Sequence, residues 1–414
     1  MSEPVRVVVV GLGGYGEVYL TPLLEDPRGA GCRIVGAVDP RPESCSRLSE
    51  LGKMGIPIFP SLEAFYRQET AELAVLSSPI HFHAPHTCLA LEHGTHVLVE
   101  KPAAAVTADV DRMIAARDQA NRFVAVGFQW SFADPVLNLK RDILKGTFGQ
   151  PLWGRSLTLW PRTESYYQRN DWAGRKRDPE GRWILDSPAS NAMAHHLHHL
   201  LFLLGPALDR STEAVAVEAR LARVNEIETF DTIGARIGTA SGAEILFLAS
   251  HGIGSEEAVD PRFTLAFEKG ELVFPGGLTP MTFRFHHGTT KSYPSPDTSS
   301  QVKKLWDCVA AAGRWRNAGE PSRNGGNGGL ASASPAESRD WRWVPPCGLE
   351  TARPHTAFVE VLEQAGVEVL DVRPGSVRIQ ETEGGRLRSL PRLAKALEES
   401  FSRGTLPEYP EGVS

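Results

Sequence analysis

The sequence has few cysteines and no long apolar run. Its five cysteines are odd in number and scattered without C-x-x-C spacing, which argues against both a disulfide framework and a zinc ribbon. No apolar run approaches the roughly 20 residues that cross a bilayer. No charged and apolar leader precedes the first apolar stretch. We therefore expect no membrane partner and a cytoplasmic location.

Runs of like charge are also missing. The chain has 44 basic and 50 acidic residues, a net charge of −6, and its lysines and arginines form no stripe. The positive patch of a nucleic-acid-binding protein is therefore absent, and we expect no nucleic-acid partner. At 414 residues the chain is longer than one hydrophobic core usually supports, which predicts two domains.

The sequence does contain an apolar strand followed directly by a glycine pattern. Residues 5–18 read VRVVVVGLGGYGEV, which includes Gly11-x-Gly13-x-x-Gly16. In a dinucleotide-binding β-turn-α unit, the first glycine allows a tight turn and the second lets the backbone approach a pyrophosphate. The third lets the helix pack on the strand, with its N-terminal N–H groups facing the phosphates. The pattern predicts a nicotinamide dinucleotide site.

An acidic residue ends the second predicted strand. The strand CRIVGAVD ends in Asp39, 23 residues after Gly16, where the ribose-binding acid of such folds falls. We expect NAD rather than NADP, because a carboxylate there binds the ribose hydroxyls and repels a 2′-phosphate. Arg41 is the nearby residue that would favour NADP. The alternative is a plain glycine loop with Asp39 capping a strand end.

Apolar strands alternate with helical stretches over the first 130 residues. This rhythm predicts an α/β fold that begins with a Rossmann domain, a doubly wound parallel sheet, at residues 1–128. Ligands of such sheets bind at the carboxyl ends of the strands. Two segments that follow strands should therefore stand near the cofactor: Ser77-Ser78-Pro79 and Glu100-Lys101-Pro102.

The pattern of apolar and polar residues changes after Gln129. Runs such as GARIGTASGAEILFLAS and RFTLAFEKGELVF predict a C-terminal α+β domain at residues 129–414, with a large, mainly antiparallel open sheet. We expect a helix from about Ala189 to Leu204. Residues 313–340 are rich in Gly, Ser, Asn and Pro, which predicts a flexible insertion.

Several motifs together resemble the glucose-fructose oxidoreductase, inositol dehydrogenase and MocA-like (Gfo/Idh/MocA) family. The specific part is HGTHVLVEKP, which ends in Glu100-Lys101-Pro102; the glycine pattern, Asp39, VGFQWSF and SNAMAHHLHHLLFLLG support it. The resemblance implies that Lys101 approaches the reacting hydroxyl and the nicotinamide, and that its bond to Pro102 is often cis. It also implies that His195 is the catalytic histidine.

The resemblance is imperfect in the second domain. The family pattern Asp-x-Gly-x-His has Asn191 at the aspartate position and Met193 at the glycine position, and His198 stands where an acid or amide commonly follows. A carboxylate would raise the basicity of the histidine, whereas Asn191 adds no charge. Asp186, just before the predicted helix, is a candidate replacement through space.

The predicted cofactor site combines the glycine pattern, the strand ends and the positions implied by the resemblance. Its members are Gly11, Gly13, Gly14, Tyr15, Gly16, Asp39, Ser78, Pro79, His83, Glu100 and Lys101. For His83 we favour a structural hydrogen bond over catalysis.

Hydride transfer from a secondary alcohol needs a group that takes the hydroxyl proton and a donor that steadies the developing alkoxide. Lys101 and His195 are the predicted pair, with Asn191 as the third catalytic candidate. The alternative for Lys101 is a surface lysine in an ion pair with Glu100.

The segment SYYQRNDWAGRKR, residues 165–177, mixes aromatic rings with polar groups, as a sugar or polyol site does. An ordinary polar loop is an equal alternative. The predicted substrate-binding residues are Lys101, Trp130, Tyr166, Arg169, Trp172, Asn191, His195 and His198.

The histidines of HHLHH also suggest a metal site, because His195 and His199 have i, i+4 spacing. No acid in the helix completes such a site, so we expect no metal. At 3.6 residues per turn, Asn191, His195 and His198 should share a face that looks into a cleft. His196 should point away from it.

We therefore expect an NAD(H)-dependent oxidoreductase that acts on a secondary alcohol of a sugar, sugar derivative or cyclitol. Three alternatives remain open: an NAD-dependent glycoside hydrolase, a bifunctional oxidoreductase with permanently bound nucleotide, and a non-catalytic sensor of cofactor or sugar. We also expect a homodimer or homotetramer, as the resemblance implies. A sedimentation measurement that gives a monomer would contradict this.

Overall fold

A computed structural model describes residues 3–317 and 343–413. The described residues divide into two compact units. The first lies within Met1–Glu100, Arg112–Gly127 and Val302–Gly348, and the second within Lys101–Asp111, Phe128–Gln301 and Leu349–Ser414.

The first unit contains a six-stranded sheet in which every neighbouring pair is parallel. Its spatial order is Ile58–Phe59, Cys32–Val38, Val5–Val10, Leu73–Leu76, His96–Val99, Val124–Val126. This 3-2-1-4-5-6 order is that of dinucleotide-binding folds. The central strands are buried on both faces, since Val7, Val8 and Val9 are all 0% exposed, as expected for a parallel sheet covered by helices.

Helices connect these strands. The α-helices of this part of the chain are Gly16–Glu25, Leu48–Lys53, Leu62–Tyr66, Ile80–Glu92 and Thr107–Ala120, and the chain returns to the first unit through Lys303–Asn317. The crossing at residues 127–128 lies next to the predicted boundary. The prediction of one continuous second domain is wrong, however, because the helix Lys303–Asn317 lies in the first unit.

The second unit contains a nine-stranded sheet in the described part of the chain. Its spatial order is Thr290–Tyr293, Met281–Phe285, Gly270–Phe274, Val259–Phe267, Pro151–Leu159, Glu244–Ser250, Thr232–Thr239, Ala214–Arg223, Val369–Asp371. Neighbours are antiparallel except Pro151–Leu159 with Glu244–Ser250 and Ala214–Arg223 with Val369–Asp371. The predicted fold class is therefore confirmed. A small hairpin pairs Arg378–Thr382 with Gly385–Ser389.

One face of this sheet packs against helices to form the main core of the unit. The α-helices of the unit are Asp134–Leu144, Glu164–Gln168, Ala194–Leu203, Leu349–Gln364 and Leu393–Arg403. Leu197 and Leu200, both 0% exposed, pack in this core with the sheet residue Phe247. No described helix is both long and apolar enough to cross a bilayer.

Two predicted segments differ from the structure. The helix expected from Ala189 begins only at Ala194, because residues 189–193 form a turn in which Ser190 bonds to Ser187 and Leu185. Of the predicted insertion 313–340, residues 313–317 continue the helix Lys303–Asn317. The remainder lies outside the described residues.

Candidate functional site

The glycine turn of the first unit leaves no room for side chains at its first and third positions. Gly11 has φ +80°, and a Cβ there would lie 2.8 Å from the carbonyl carbon of Ser77. A Cβ on Gly16 would lie 1.9 Å from the carbonyl oxygen of Gly11. The backbone therefore packs as closely as a turn that receives a pyrophosphate requires. Gly14 has φ +58° and faces open space.

Asp39 is bound to this turn. Its carboxylate accepts the N–H of Leu12 at 2.8 Å and the N–H of Arg41, also at 2.8 Å. Each carboxylate oxygen has a second lone pair, so these bonds leave capacity for ribose hydroxyls. The residues present fit the adenosine end of NAD.

The other strand-end candidates have structural partners. His83 is 2% exposed, and its Nε2 lies 2.8 Å from the carbonyl oxygen of Ser78, the structural bond that we expected. The hydroxyl of Ser78 lies 3.0 Å from His86 Nδ1. Burial lowers the pKa of His86 to about 4. Pro79 is the N-cap residue of Ile80–Glu92.

Glu100 is buried and is part of an ion pair in the core. Lys304, 0% exposed, donates from Nζ to Glu100 Oε1 at 2.6 Å and to the Gly127 carbonyl at 2.9 Å. The Tyr19 hydroxyl also donates to Glu100 Oε1. The buried ion pair gives the Glu100 carboxylate a structural role, and the assignment of Glu100 to the cofactor site stays a prediction.

Tyr15 lies in the same cluster. Its ring meets the Tyr19 ring edge-on, with centroids 5.9 Å apart, and Lys304 Nζ lies 5.2 Å from the Tyr15 centroid. Burial, with the charge of Glu100, raises the pKa of the Tyr15 hydroxyl.

In the second unit, Lys101 is held by Asn191. Lys101 Nζ donates to the backbone oxygen of Asn191 at 2.7 Å and to its Oδ1 at 2.9 Å. Asn191 Nδ2 in turn donates to Asp186 Oδ1 at 2.8 Å. The Lys101–Pro102 peptide bond is cis, as the resemblance implied. Two of the three predicted catalytic residues are therefore in direct contact, and a carboxylate lies behind them.

Asp186 is tightly held. Its Oδ2 accepts the N–H of Gly174 at 2.7 Å, and its carbonyl oxygen accepts the Thr229 hydroxyl. Gly174 has φ +69°, and a Cβ there would lie 2.7 Å from Ile227. Burial raises the pKa of Asp186, while the Gly174 N–H and the charges of Arg169 and Lys101 lower it.

Part of the predicted substrate segment joins this group. The guanidinium of Arg169 lies 3.7 Å from the centroid of the Tyr166 ring and 5.2 Å from that of Trp172. The charge of Asp186 contributes to a raised pKa of the Tyr166 hydroxyl, whose first cause is burial. Tyr166 and Arg169 thus lie within electrostatic range of the Lys101–Asn191–Asp186 group.

His195 occupies the first turn of Ala194–Leu203 and is half-buried, with its ring edge-on to Phe128 at a centroid distance of 5.7 Å. The predicted shared face of Asn191, His195 and His198 is wrong, since Asn191 precedes the helix. His198 is 1% exposed, stacks on Phe128 and bonds to Ser131. It belongs to the core, and our assignment of it to the substrate is wrong.

Trp130 is also buried, at 6% exposed, and its Nε1 donates to Asp297 at 2.7 Å. It borders a cavity of about 420 Å³ that Gln129 and Pro296 also line. In the contacts described, it does not join the Lys101 group.

The neighbouring histidines are buried in aromatic surroundings. His196 lies between Trp130 and Trp160, and His199 lies against Trp130 and Phe263. Within residues 3–317 and 343–413, neither ring of the pair has a hydrogen-bond partner for either nitrogen. Burial lowers the pKa of each ring to about 3. Replacing His196 by a small residue would leave a cavity and lower the stability of the fold, and the expectation that its effect on turnover is smaller than that of His195 stays a prediction.

Because the rings of His196 and His199 are buried, we expect acid to destabilise the folded protein. Unfolded histidine titrates near 6.5, whereas the two buried rings stay neutral to about pH 3. The unfolded state therefore gains protons first, and the stability present above about pH 6.5 is lost as pH falls. By about pH 4.5 each ring should cost roughly 2–3 kcal/mol of unfolding free energy. Urea titrations at about pH 6.5 and about pH 4.5 measure the difference in the free energy of unfolding.

The variant His199→Leu should lose part of that pH dependence, while the exposed His287→Asn should keep all of it. An unchanged pH dependence in His199→Leu would show that His199 is protonated in the folded protein.

In the described ranges, no group of three or more His, Cys, Asp or Glu side chains could hold a metal ion.

Comparison with known families gives a match over residues 5–128. The matched family is described as an oxidoreductase family with an NAD-binding Rossmann fold, Gfo/Idh/MocA. The same resemblance was inferred from the motifs.

The matches to individual relatives cover only part of each relative's length. Over 148 residues the chain is 33% identical to the 1-carboxy-3-chloro-3,4-dihydroxycyclo hexa-1,5-diene dehydrogenase of Comamonas testosteroni, covering 35% of this chain and 36% of the relative. Over 170 residues it is 27% identical to the inositol 2-dehydrogenase of Corynebacterium glutamicum, covering 41% of this chain and 50% of the relative. The matched part thus spans about a third to a half of these curated relatives.

Similarity of fold extends further. The WlbA dehydrogenase of Bordetella pertussis, solved with NADH and UDP-GlcNAcA, superposes with a TM-score of 0.65 at 20% identity, covering 88% of this chain and 96% of that one. At that identity the likeness concerns the fold. Residues 5–128 therefore form an NAD-binding Rossmann domain of the Gfo/Idh/MocA oxidoreductase family, as the motifs predicted.

Proposed function

We propose that this protein is an NAD-dependent dehydrogenase that oxidises a secondary alcohol of a sugar, sugar derivative or cyclitol. The observation that carries the proposal is the double contact of Lys101 Nζ with the two oxygens of Asn191. That contact holds the amine of Lys101, the lysine of the Glu-Lys-Pro motif, in one position.

Lys101 takes the hydroxyl proton in this proposal. A neutral amine has two N–H groups and one lone pair. When both N–H groups bond to Asn191, the lone pair is directed away from Asn191 and can accept a proton. NAD, when bound, supplies the acceptor for the hydride of the C–H bond. The proton ends on Nζ, and the alcohol becomes a carbonyl.

His195 is the proposed second proton-handling residue. Its half-buried ring lies at the start of a buried helix, with Phe128 against it, so its orientation is restrained. From this position it would donate a hydrogen bond to the developing alkoxide.

The substrate class rests on the aromatic and cationic side chains next to Asp186. Tyr166 and Trp172 provide aromatic surface, and the guanidinium of Arg169, which lies over both rings, provides N–H donors for the hydroxyls of a sugar. By their names, one relative above acts on a cyclic diol and another on inositol, and the solved structure holds a nucleotide sugar. A polyhydroxylated ring is the chemistry common to them.

The test is a panel assay on the purified full chain. Polyols, aldoses, cyclitols and aryl glycosides are incubated with NAD, while absorbance is followed at the NADH and nitrophenol bands. NADH formation with a polyhydroxylated alcohol is expected. Nitrophenol release without net NADH would instead show a glycoside hydrolase, and cofactor binding without turnover on any compound would show a sensor.

The carboxylate of Asp39 predicts the choice of cofactor. NADH should bind at least ten-fold more tightly than NADPH, because the carboxylate at the glycine turn accepts ribose hydroxyls and repels a 2′-phosphate. Fluorescence titration measures both affinities. Asp39→Ala should weaken NADH binding and narrow the difference, whereas Glu43→Ala, an exposed carboxylate four residues on, should change neither. Tighter binding of NADPH by the unaltered protein would refute the assignment.

A further inference from the structure

Resting on the proposed function, we propose that Asp186 is a positioning residue that acts on Lys101 through the side-chain amide of Asn191. The carboxylate that lies behind the lysine is thus at position 186 instead of 191. The three groups form one chain, with Nζ to Oδ1 at 2.9 Å and Nδ2 to Asp186 Oδ1 at 2.8 Å.

The amide of Asn191 has a donor end and an acceptor end, and either could face Lys101. An ionised Asp186 can only accept, so it binds the Nδ2 end and leaves Oδ1 toward Nζ. With the amide reversed, two acceptors would face each other at Asp186 and two donors would face each other at Lys101. Asp186 therefore decides which end of Asn191 the lysine meets.

Asp186 is placed to do this rigidly. It is 3% exposed, and its second carboxylate oxygen is occupied by the Gly174 N–H. The preceding residue, Leu185, has φ +52°, a left-handed conformation that is unfavourable for a bulky residue. Ser190 donates to the Leu185 carbonyl at 2.6 Å. The backbone is thus held in an unfavourable conformation immediately before the carboxylate.

The charge of Asp186 also affects the ammonium. Arg169 and Lys101 both interact with Asp186. A neutral residue at position 186 would therefore remove the negative charge that stabilises both cations. The ammonium form of Lys101 would then be disfavoured.

The other titratable groups near this cluster differ in type. Those that interact with Asp186 or Lys101 are Arg169, Tyr166, Tyr167, His196 and His355. Burial lowers the pKa of His196 to about 3 and that of His355 to about 4. Burial raises the pKa of both tyrosines. These four rings therefore stay neutral between about pH 5 and 9.

The experiment measures the reactivity of Lys101 in the NAD-loaded full chain, and needs no substrate. Competitive acylation of amines is followed by mass spectrometry from pH 6 to 11, and the midpoint of Lys101 labelling is compared among variants. Asp186→Asn should move this midpoint to lower pH by about one unit. Asn191→Asp, with the carboxylate directly on Nζ, should move it to higher pH. The control Asp231→Asn removes an equally buried carboxylate and should leave it unchanged.

Turnover gives the second readout. Asp186→Asn should lower the plateau value of kcat reached at high pH at least ten-fold with KM within about three-fold, because Asn191 is no longer held in one orientation, and the rise of kcat with pH should shift as the labelling does. The double variant Asp186→Asn with Asn191→Asp should recover most of the lost kcat. Recovery in the double variant would show that the loss in Asp186→Asn is not caused by misfolding. Thermal melting checks the folding of each variant.

An unchanged labelling midpoint in folded Asp186→Asn would overturn the inference, as would a double variant no better than the single one. If the panel yields no turnover at all, the proposed function fails. The labelling midpoints still decide the role of Asp186 separately.

Discussion

Replacing Lys101 by methionine is expected to lower kcat by two orders of magnitude or more, with NADH affinity changed by no more than a few fold. The variant keeps most of the side-chain volume but removes the amine that accepts the hydroxyl proton, and general acid–base groups contribute on this scale. Steady-state kinetics on a reacting alcohol and NADH titration measure the two effects. Lys145→Met, at an exposed lysine of the same unit, is the matched control.

His195→Ala is expected to cause a loss of kcat of similar size for the same reason. A loss of ten-fold or less in Lys101→Met would remove Lys101 from the proton step. A chelator is expected to leave the activity of the unaltered protein unchanged, and abolition of activity by chelator would require a metal-dependent mechanism.

Replacing Lys304 by methionine is expected to lower the free energy of unfolding by about 3–5 kcal/mol. The ammonium is 0% exposed and pairs with Glu100, which is 5% exposed, and removing one partner of a buried pair leaves the other charge without compensation. Urea unfolding measures the loss. The control is Lys303→Met, which removes the adjacent lysine and its more exposed pair with Asp307.

A second change separates the buried charge from simple loss of packing. Adding Glu100→Gln to Lys304→Met should recover part of the stability, because the remaining side chain is then neutral. If Lys304→Met costs no more than Lys303→Met, or if Glu100→Gln makes it worse, the ion pair does not hold this part of the core.

The fold was predictable where its signals are local. The strand Val5–Val10 and the turn after it are written in consecutive residues, and the tight contacts of Gly11 and Gly16 are the reason that only glycine serves there. The antiparallel sheet followed from strand runs joined by short turns, as in Thr232–Thr239 with Glu244–Ser250.

Contacts between distant residues were not predictable in this way. Glu100 and Lys304 are 204 residues apart in the chain, so nothing near Glu100 indicates its partner. A weak signal exists at Lys304, which shares the helical spacing of the buried residues Cys308 and Ala311. A lysine on such a buried face calls for a buried acid.

The candidate site was predicted in its residues but not in its geometry. Lys101 and Asn191 came from motifs, yet the helical-wheel placement of Asn191 failed because a serine-rich turn precedes the helix. The burial of His198 was hidden for a related reason: a histidine in an amphipathic pattern reads as polar, although Phe128 and Ser131 can enclose it. Asp186 could be named as a candidate, but its link through Asn191 required coordinates.

The most direct measurement of hydride transfer is isotopic. An alcohol that reacts in the panel is prepared with deuterium on the carbon that carries the hydroxyl, and the NADH formed is examined by mass spectrometry. We predict one deuterium in the nicotinamide ring of each NADH molecule, with the ketone formed in equal amount. NADH without deuterium, or conversion of the substrate with the deuterium retained or lost to water, would contradict the proposed function.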